Sequence, residues 1–111
     1  MTFNTQKPTY TGGALTPQAA TYPAGDSFVN NGFEWLHIAN PTGAGITITA
    51  DAPGVDNFGF SGNALDKAVV VPAGATMFAW GPFPMGRHND ANGKVQLTYS
   101  ATGLMITVMG R

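Results

Sequence analysis

The sequence predicts an all-β domain, a β-sandwich or jelly roll of short antiparallel strands with an extended N-terminal arm, and two observations carry that prediction. The first is the density of helix breakers. Fifteen glycines and eight prolines are spread through the 111 residues, and the longest stretches free of both are Asn63–Val71 and Lys94–Thr102. Within a helix Gly costs about 1 kcal/mol and Pro about 3, so a helix of ordinary length, about 11–12 residues, has no room. Strands of about five or six residues fit between the breakers. The second is alternation with period two between those breakers, the mark of a strand with one face on a core.

In chain order, residues 1–24 read as the arm and residues 25–111 as the sandwich domain. The arm is rich in Thr, Gly, Pro, Gln and Ala, and its large apolar groups after Met1 are Phe3, Tyr10, Leu15 and Tyr22. Alone it cannot bury enough surface to offset its ordering entropy. It is therefore expected to lie against something, a neighbouring chain in preference to its own sandwich, and the sandwich is expected to fold without residues 1–22.

The strands follow. Leu36 and Ile38 alternate within Glu34–Ala39, and Asn40-Pro41-Thr42-Gly43 reads as a turn with Pro at its second position. Ile46, Ile48 and Ala50 face one way, with Thr47, Thr49 and Asp51 the other. Val69-Val70-Val71 and Met77-Phe78-Ala79-Trp80 are apolar on both faces and are expected to lie deeper; Val71-Pro72-Ala73-Gly74-Ala75 is the turn between them. Asp90-Ala91-Asn92-Gly93 ends in the Asn-Gly pair favoured where both central turn residues need positive φ. Val95, Leu97 and Tyr99 alternate with Lys94, Gln96 and Thr98, and Leu104, Ile106 and Val108 with Met105, Thr107 and Met109. Ala101-Thr102-Gly103 is expected to join these last two strands as a hairpin. Six or seven short strands at this spacing argue for two packed layers.

Composition narrows the function classes. Only 10% of residues are charged, with a net charge of −1, against about 25% charged in an average soluble protein. No basic stripe exists to neutralise phosphates, which argues against nucleic acid as a partner. Weak self-repulsion makes close packing of copies inexpensive. The absence of cysteine removes disulfides, thiolate metal sites and a cysteine nucleophile. Met1–Pro8 lacks the basic start and apolar run of a signal peptide, and no stretch approaches the roughly 18 apolar residues of a membrane span. A soluble protein with no membrane partner is expected.

Residues that could carry chemistry are few. His37 lies on the strand face opposite Leu36 and Ile38, and His88 in the loop Met85–Asp90. Two isolated histidines with no His-x-His spacing make a weak metal signal. Gly59-Phe60-Ser61-Gly62 misses the nucleophile-elbow pattern. Asp51, Asp56 and Asp66 could supply paired carboxylates or oxygen ligands, but Asp51–Asp56 reads more simply as a turn, and Asp90–Gly93 lacks the spacing and closing Glu of a calcium loop. No catalytic residue, no metal and no cofactor is expected. The aromatics say more: Phe58 and Phe60 in a Gly-rich loop, and Trp80 and Phe83 beside rigid prolines, read equally as end caps of the sandwich or as a contact patch. With Phe3, Tyr10, Leu15 and Tyr22 of the arm they form the candidate interaction set.

Asp26–Gly32, then Trp35–Asn40, Ile46–Thr49, Val71–Ala75, Gly81–Pro84 and Asn89–Ser100 occur in an order that resembles a group of small structural proteins of tailed bacteriophages, over about residues 25–109. These motifs are mostly turns and strand edges and carry no catalytic residue. The resemblance implies a virion protein of the capsid decoration (cement) type, made in the host cytoplasm and placed on the capsid surface. Its implied partners are the major capsid protein, whose capsomers it would bridge, and itself, as a dimer or trimer. Two other readings stand beside it. A receptor- or carbohydrate-binding module, or another minor head or tail component, would use Phe58, Phe60 and Trp80 against sugar rings. A cupin-like enzyme would use His37 and His88.

Overall fold

The computed structural model describes residues 1–7, 12–53 and 66–110. Among them are ten strands, β1 (Thr2–Phe3), β2 (Thr5–Gln6), β3 (Gln18–Ala19), β4 (Asp26–Val29), β5 (Trp35–Ala39), β6 (Ile46–Ala50), β7 (Lys67–Val71), β8 (Phe78–Trp80), β9 (Lys94–Tyr99) and β10 (Met105–Met109), with a single-turn helix α1 (Met85–His88) before β9. Sheet A runs β1-β4-β9-β6-β7; sheet B runs β2-β10-β5-β8, with β3 also paired to β10. The protein is an all-β sandwich.

The alternation places the core. Phe28, Ile46, Ile48, Val95 and Leu97 of sheet A meet Leu36, Ile38, Ile106 and Val108 of sheet B, and each is at most 2% exposed. Buried side chains of this size stabilise by about 1.5–3 kcal/mol apiece. Phe83 closes one end, edge-on to Phe28 at 5.5 Å and to Trp80 at 4.9 Å between ring centroids.

The connection expected as a hairpin crosses between the sheets, and so do two of the expected turns. Ala101-Thr102-Gly103 leads from β9 in sheet A to β10 in sheet B, Asn40–Gly43 leads from β5 in sheet B to β6 in sheet A, and Val71–Ala75 leads from β7 to β8 across the same gap. Alternation tells a strand which face is apolar and is silent on its neighbour, so an arch over the core and a hairpin within a sheet read alike. In Asp90–Gly93 only the glycine has positive φ, at +74°, and no non-glycine residue does so among those described. That turn is held instead by Asp90, whose Oδ1 accepts from the N–H of Asn92 at 2.8 Å and of Lys94 at 3.0 Å.

Two further expectations change. The apolar runs at β7 and β8 lie at sheet edges: Val70 is 59% exposed and neighbouring Met77 80%. The arm, expected against a neighbour, contributes to its own sandwich. β1 pairs in parallel with β4, β2 in parallel with β10, and β3 antiparallel with β10, so both sheets are mixed. One aromatic anchors it, Phe3, which enters the core at 2% exposure. Gln6 then stands in for a strand: its Nε2 donates to the Thr16 carbonyl at 2.6 Å while its Oε1 accepts from the Thr16 N–H at 2.7 Å. Main-chain and amide hydrogen bonds satisfy the backbone that the sparse apolar content leaves open.

Candidate interaction surface

The two outer faces of the sandwich differ in chemistry. Register puts Thr2, Ser27, Lys94, Gln96, Thr98, Thr47 and Thr49 on the outside of sheet A, with Val29, Ala68 and Val70 toward its margins, a mostly polar face as expected of a half-buried sheet. On sheet B, with Leu36, Ile38, Ile106 and Val108 turned inward, the outward set is Trp35, His37, Ala39, Ala79, Met105, Thr107 and Met109. The five strands of sheet B contain no Lys, Arg, Asp or Glu. Thr107 and Met109 are themselves buried, at 2% and 6%, whereas Trp35 and Ala79 are exposed.

At one end this face drops into an open groove of about 300 Å³ lined by Gly32, Phe33, Trp35, Ala79, Trp80, Gly81 and Pro82. Phe33 is 53% exposed, and Met85, whose side chain lies against Gly32, extends the apolar surface beside it. The groove floor requires glycine at position 81. Its φ is +136°, and a Cβ there would stand 2.9 Å from both Cα and Cβ of Trp35.

The rim is held by buried amides. Asn30, at 2% exposure, donates through Nδ2 to the Phe83 carbonyl at 2.9 Å and to Asn89 Oδ1 at 2.8 Å, and Asn89 Nδ2 donates back to the Asn30 carbonyl at 2.9 Å. Glu34, also buried, accepts the N–H of Asn31. On the opposite side of the sandwich Asp26 accepts at Oδ2 from the Tyr99 hydroxyl and from the Thr21 N–H, both at 2.7 Å. Burial first, and then this contact with Asp26, push the Tyr99 hydroxyl well above the ordinary tyrosine range, so it remains a donor at any working pH.

The sequence-derived interaction residues fall into three groups. Phe3 and Phe83 are core residues, each 2% exposed. Leu15 and Tyr22 are each 46% exposed on the arm, and Trp80 is half-buried, its ring on the core side of edge strand β8. Tyr10, Phe58 and Phe60 lie outside the described residues, as do Asp56 and Ser61. Phe33, Trp35 and Met105 fall outside that set, although the sequence carries a signal for them: the off-core positions of β6 and β9 are Thr, Lys and Gln, while those of β5 and β10 are Trp, His, Ala, Met and Thr.

His37 and His88 are not brought together. His37 sits mid-face on sheet B, whereas His88 is buried at the end of α1, edge-on to Phe83, its Nδ1 3.0 Å from the Asp51 carbonyl oxygen. Asp51 lies beside Asp66, which accepts the Ala52 N–H at 2.7 Å. Partial burial first, and then the hydrogen bond and charge of Asp66, raise the Asp51 carboxyl above its usual range. Among the described residues no three His, Cys, Asp or Glu side chains gather as metal ligands would. No protein-family model, no curated protein and no solved structure matches the chain.

Proposed function

We propose that this all-β sandwich is a bacteriophage capsid decoration protein that lays the uncharged outer face of sheet B on the head exterior and stabilises the shell by bridging neighbouring capsomers. The carrying observation is the asymmetry of the two faces. One carries Lys94 among mostly hydroxyl and amide side chains, with Val29 and Val70 at its margins; the other has five strands without a formal charge and an exposed Phe33–Trp35 rim. A face of this kind loses little on desolvation, and aromatic and Met side chains supply the anchors that dominate interface energies. The motif order that resembles tailed-phage structural proteins supports the setting: a virion surface, with the major capsid protein as partner. No step of this role needs a catalytic group or a cofactor.

The test is co-sedimentation of the purified chain with expanded heads assembled without it, comparing wild type with Ala79→Glu and Trp35→Glu. Each places an unpaired charge in the contact. Wild type is expected to saturate the heads, and each variant to bind at least tenfold more weakly while keeping the wild-type circular dichroism spectrum. Failure of the wild type to bind any head refutes the reading.

The aromatic groove favours one second reading, a carbohydrate-binding module in which a sugar ring stacks on Phe33 or Trp35. A glycan array separates the two, because a cement protein binds shells and no glycan.

A further inference from the structure

β7 is the longest edge strand of the sandwich, and its pattern matches a second copy of itself. Antiparallel strands alternate between residues whose N–H and C=O face the neighbour and residues whose groups face away. Here the phase is set by β6. The Ser100 N–H donates to the Thr47 carbonyl and the Asp51 N–H to the Gln96 carbonyl, so Thr47, Thr49 and Asp51 address β9. Ile46, Ile48 and Ala50 then address β7, where they stand opposite Val71, Val69 and Lys67. The N–H and C=O groups of Ala68 and Val70 consequently point off the sheet edge, and among the described residues they have no partner. Their side chains also turn away from the core, and Val70 is 59% exposed.

The other edges are blunted. β1, β2 and β3 have two residues each, and β8 has three before Gly81-Pro82. β7 has five residues in unbroken register with β6 and no proline. Among the described residues its one protective device is Lys67 at the first position. An apolar edge that the described residues leave unpaired can template another strand.

We infer that two copies of this chain associate through β7, antiparallel about a two-fold axis at Val69, joining both A sheets into one. That register places Ala68 opposite Val70 of the second copy, and Val70 opposite Ala68. Each of these is a hydrogen-bonded pair, so all the outward N–H and C=O groups are satisfied together. A small side chain meets a large one on the outer face, and Val69 meets Val69 in the close, non-hydrogen-bonded site between them. Charge agrees with this arrangement. Each Lys67 falls opposite Val71 of the other copy, so the two lysines lie at opposite ends of the ladder without facing one another. The inference stands on the sheet edge alone and is independent of what the face of sheet B binds.

The chain has no cysteine, so single-cysteine variants report the register. In the full chain, Val69→Cys puts the two sulfurs across a close pair with Cα atoms about 4.5 Å apart, suited to a disulfide. Val70→Cys leaves them on a diagonal of about 7–8 Å, poorly suited to one. Under mild oxidant V69C is expected to form a covalent dimer at least fivefold faster than V70C. Light scattering should give wild type twice the monomer mass at about 100 μM. Val70→Pro removes an outward N–H without touching the β6 ladder and is expected to raise the dimer dissociation constant at least tenfold, with the circular dichroism spectrum kept. A monomeric wild type at that concentration, or equal oxidation of V69C and V70C, overturns the inference.

Discussion

Replacing Asn40 by alanine tests how the arches hold the two sheets in place. Asn40 directly follows β5 and is 0% exposed. Its Nδ2 donates to the Ala44 carbonyl at 2.9 Å and to the Val71 carbonyl at 3.0 Å. Its Oδ1 accepts from the Thr42 N–H at 3.1 Å and from the Thr42 hydroxyl at 2.6 Å. One amide thereby ties the β5–β6 arch to the end of β7, while its backbone N–H reaches the Ala75 carbonyl in the β7–β8 arch at 2.7 Å. Counting the two Nδ2 bonds at about 1 kcal/mol each and the two more accessible Thr42 bonds at about 0.5 each, Asn40→Ala costs about 3 kcal/mol. For a chain of this size that is a fall of about 12 °C in Tm. The measurement is a urea titration followed by Trp fluorescence, paired with a thermal melt. Asn40→Asp is the discriminating companion. It keeps an acceptor for Thr42 but turns a second oxygen toward the Ala44 and Val71 carbonyls, so at neutral pH it is expected to cost at least as much as alanine. A loss below about 1 kcal/mol for Asn40→Ala, or a milder effect for aspartate, refutes the account.

Other consequences are as direct. Phe3→Ala empties a core site on β1 and is expected to lower stability by about 3 kcal/mol in the same titration; deletion of residues 1–7 should lower it further, because it also strips a strand from each sheet. Gly81→Ala forces a side chain onto Trp35 at φ +136°, with an expected cost of about 2 kcal/mol and a shifted Trp emission; unchanged stability and emission would contradict the described floor of the groove. Carboxyl titration by NMR should find Asp90 below the ordinary 3.8, held there by the Lys94 N–H first and then by Gln96, and Asp51 above it. The signs oppose. Asp90, its folded pKa depressed, contributes stability that is present above about pH 4 and lost as pH falls through its folded value. Asp51, its folded pKa raised, holds its proton more tightly when folded, so its contribution declines as pH rises from 3.8 through that value. Asp66→Asn is expected to bring the Asp51 midpoint down toward 3.8.

Much of this fold was legible because alternation is a local property. Ile46, Ile48, Val95, Leu97, Ile106 and Val108 could be assigned to the core one strand at a time, and each is buried. Neighbour choice is not local. Nothing in Lys94–Met109 says that β9 and β10 belong to different sheets, so an arch reads as a hairpin. Val69–Val71 reads as a deep strand because a doubly apolar run suits a central position, yet at an edge the same run leaves Val70 in solvent. The arm misled for another reason. Its stabilisation comes from main-chain pairing, the Gln6 amide and one aromatic, none of which raises the apolar content of residues 1–24. The asymmetry of the two faces was within reach, since it needs only a tally of charges on the off-core positions of each strand.

Thr5 and Gln6 lie beside Val108 and Met109, so an early segment completes its place only against the last strand described. On the ribosome β10 emerges after every other described strand, and until it does β2 and β3 have no template, while β5 lacks the strand it pairs with on that side. Sheet B is therefore completed only once all the other described strands have been synthesised, from contacts between residues about 100 positions apart, a topology that slows folding and prolongs the exposure of unpaired edges. Fusions or truncations near Met109 should accordingly reduce the yield of soluble protein more than equal changes near Pro53.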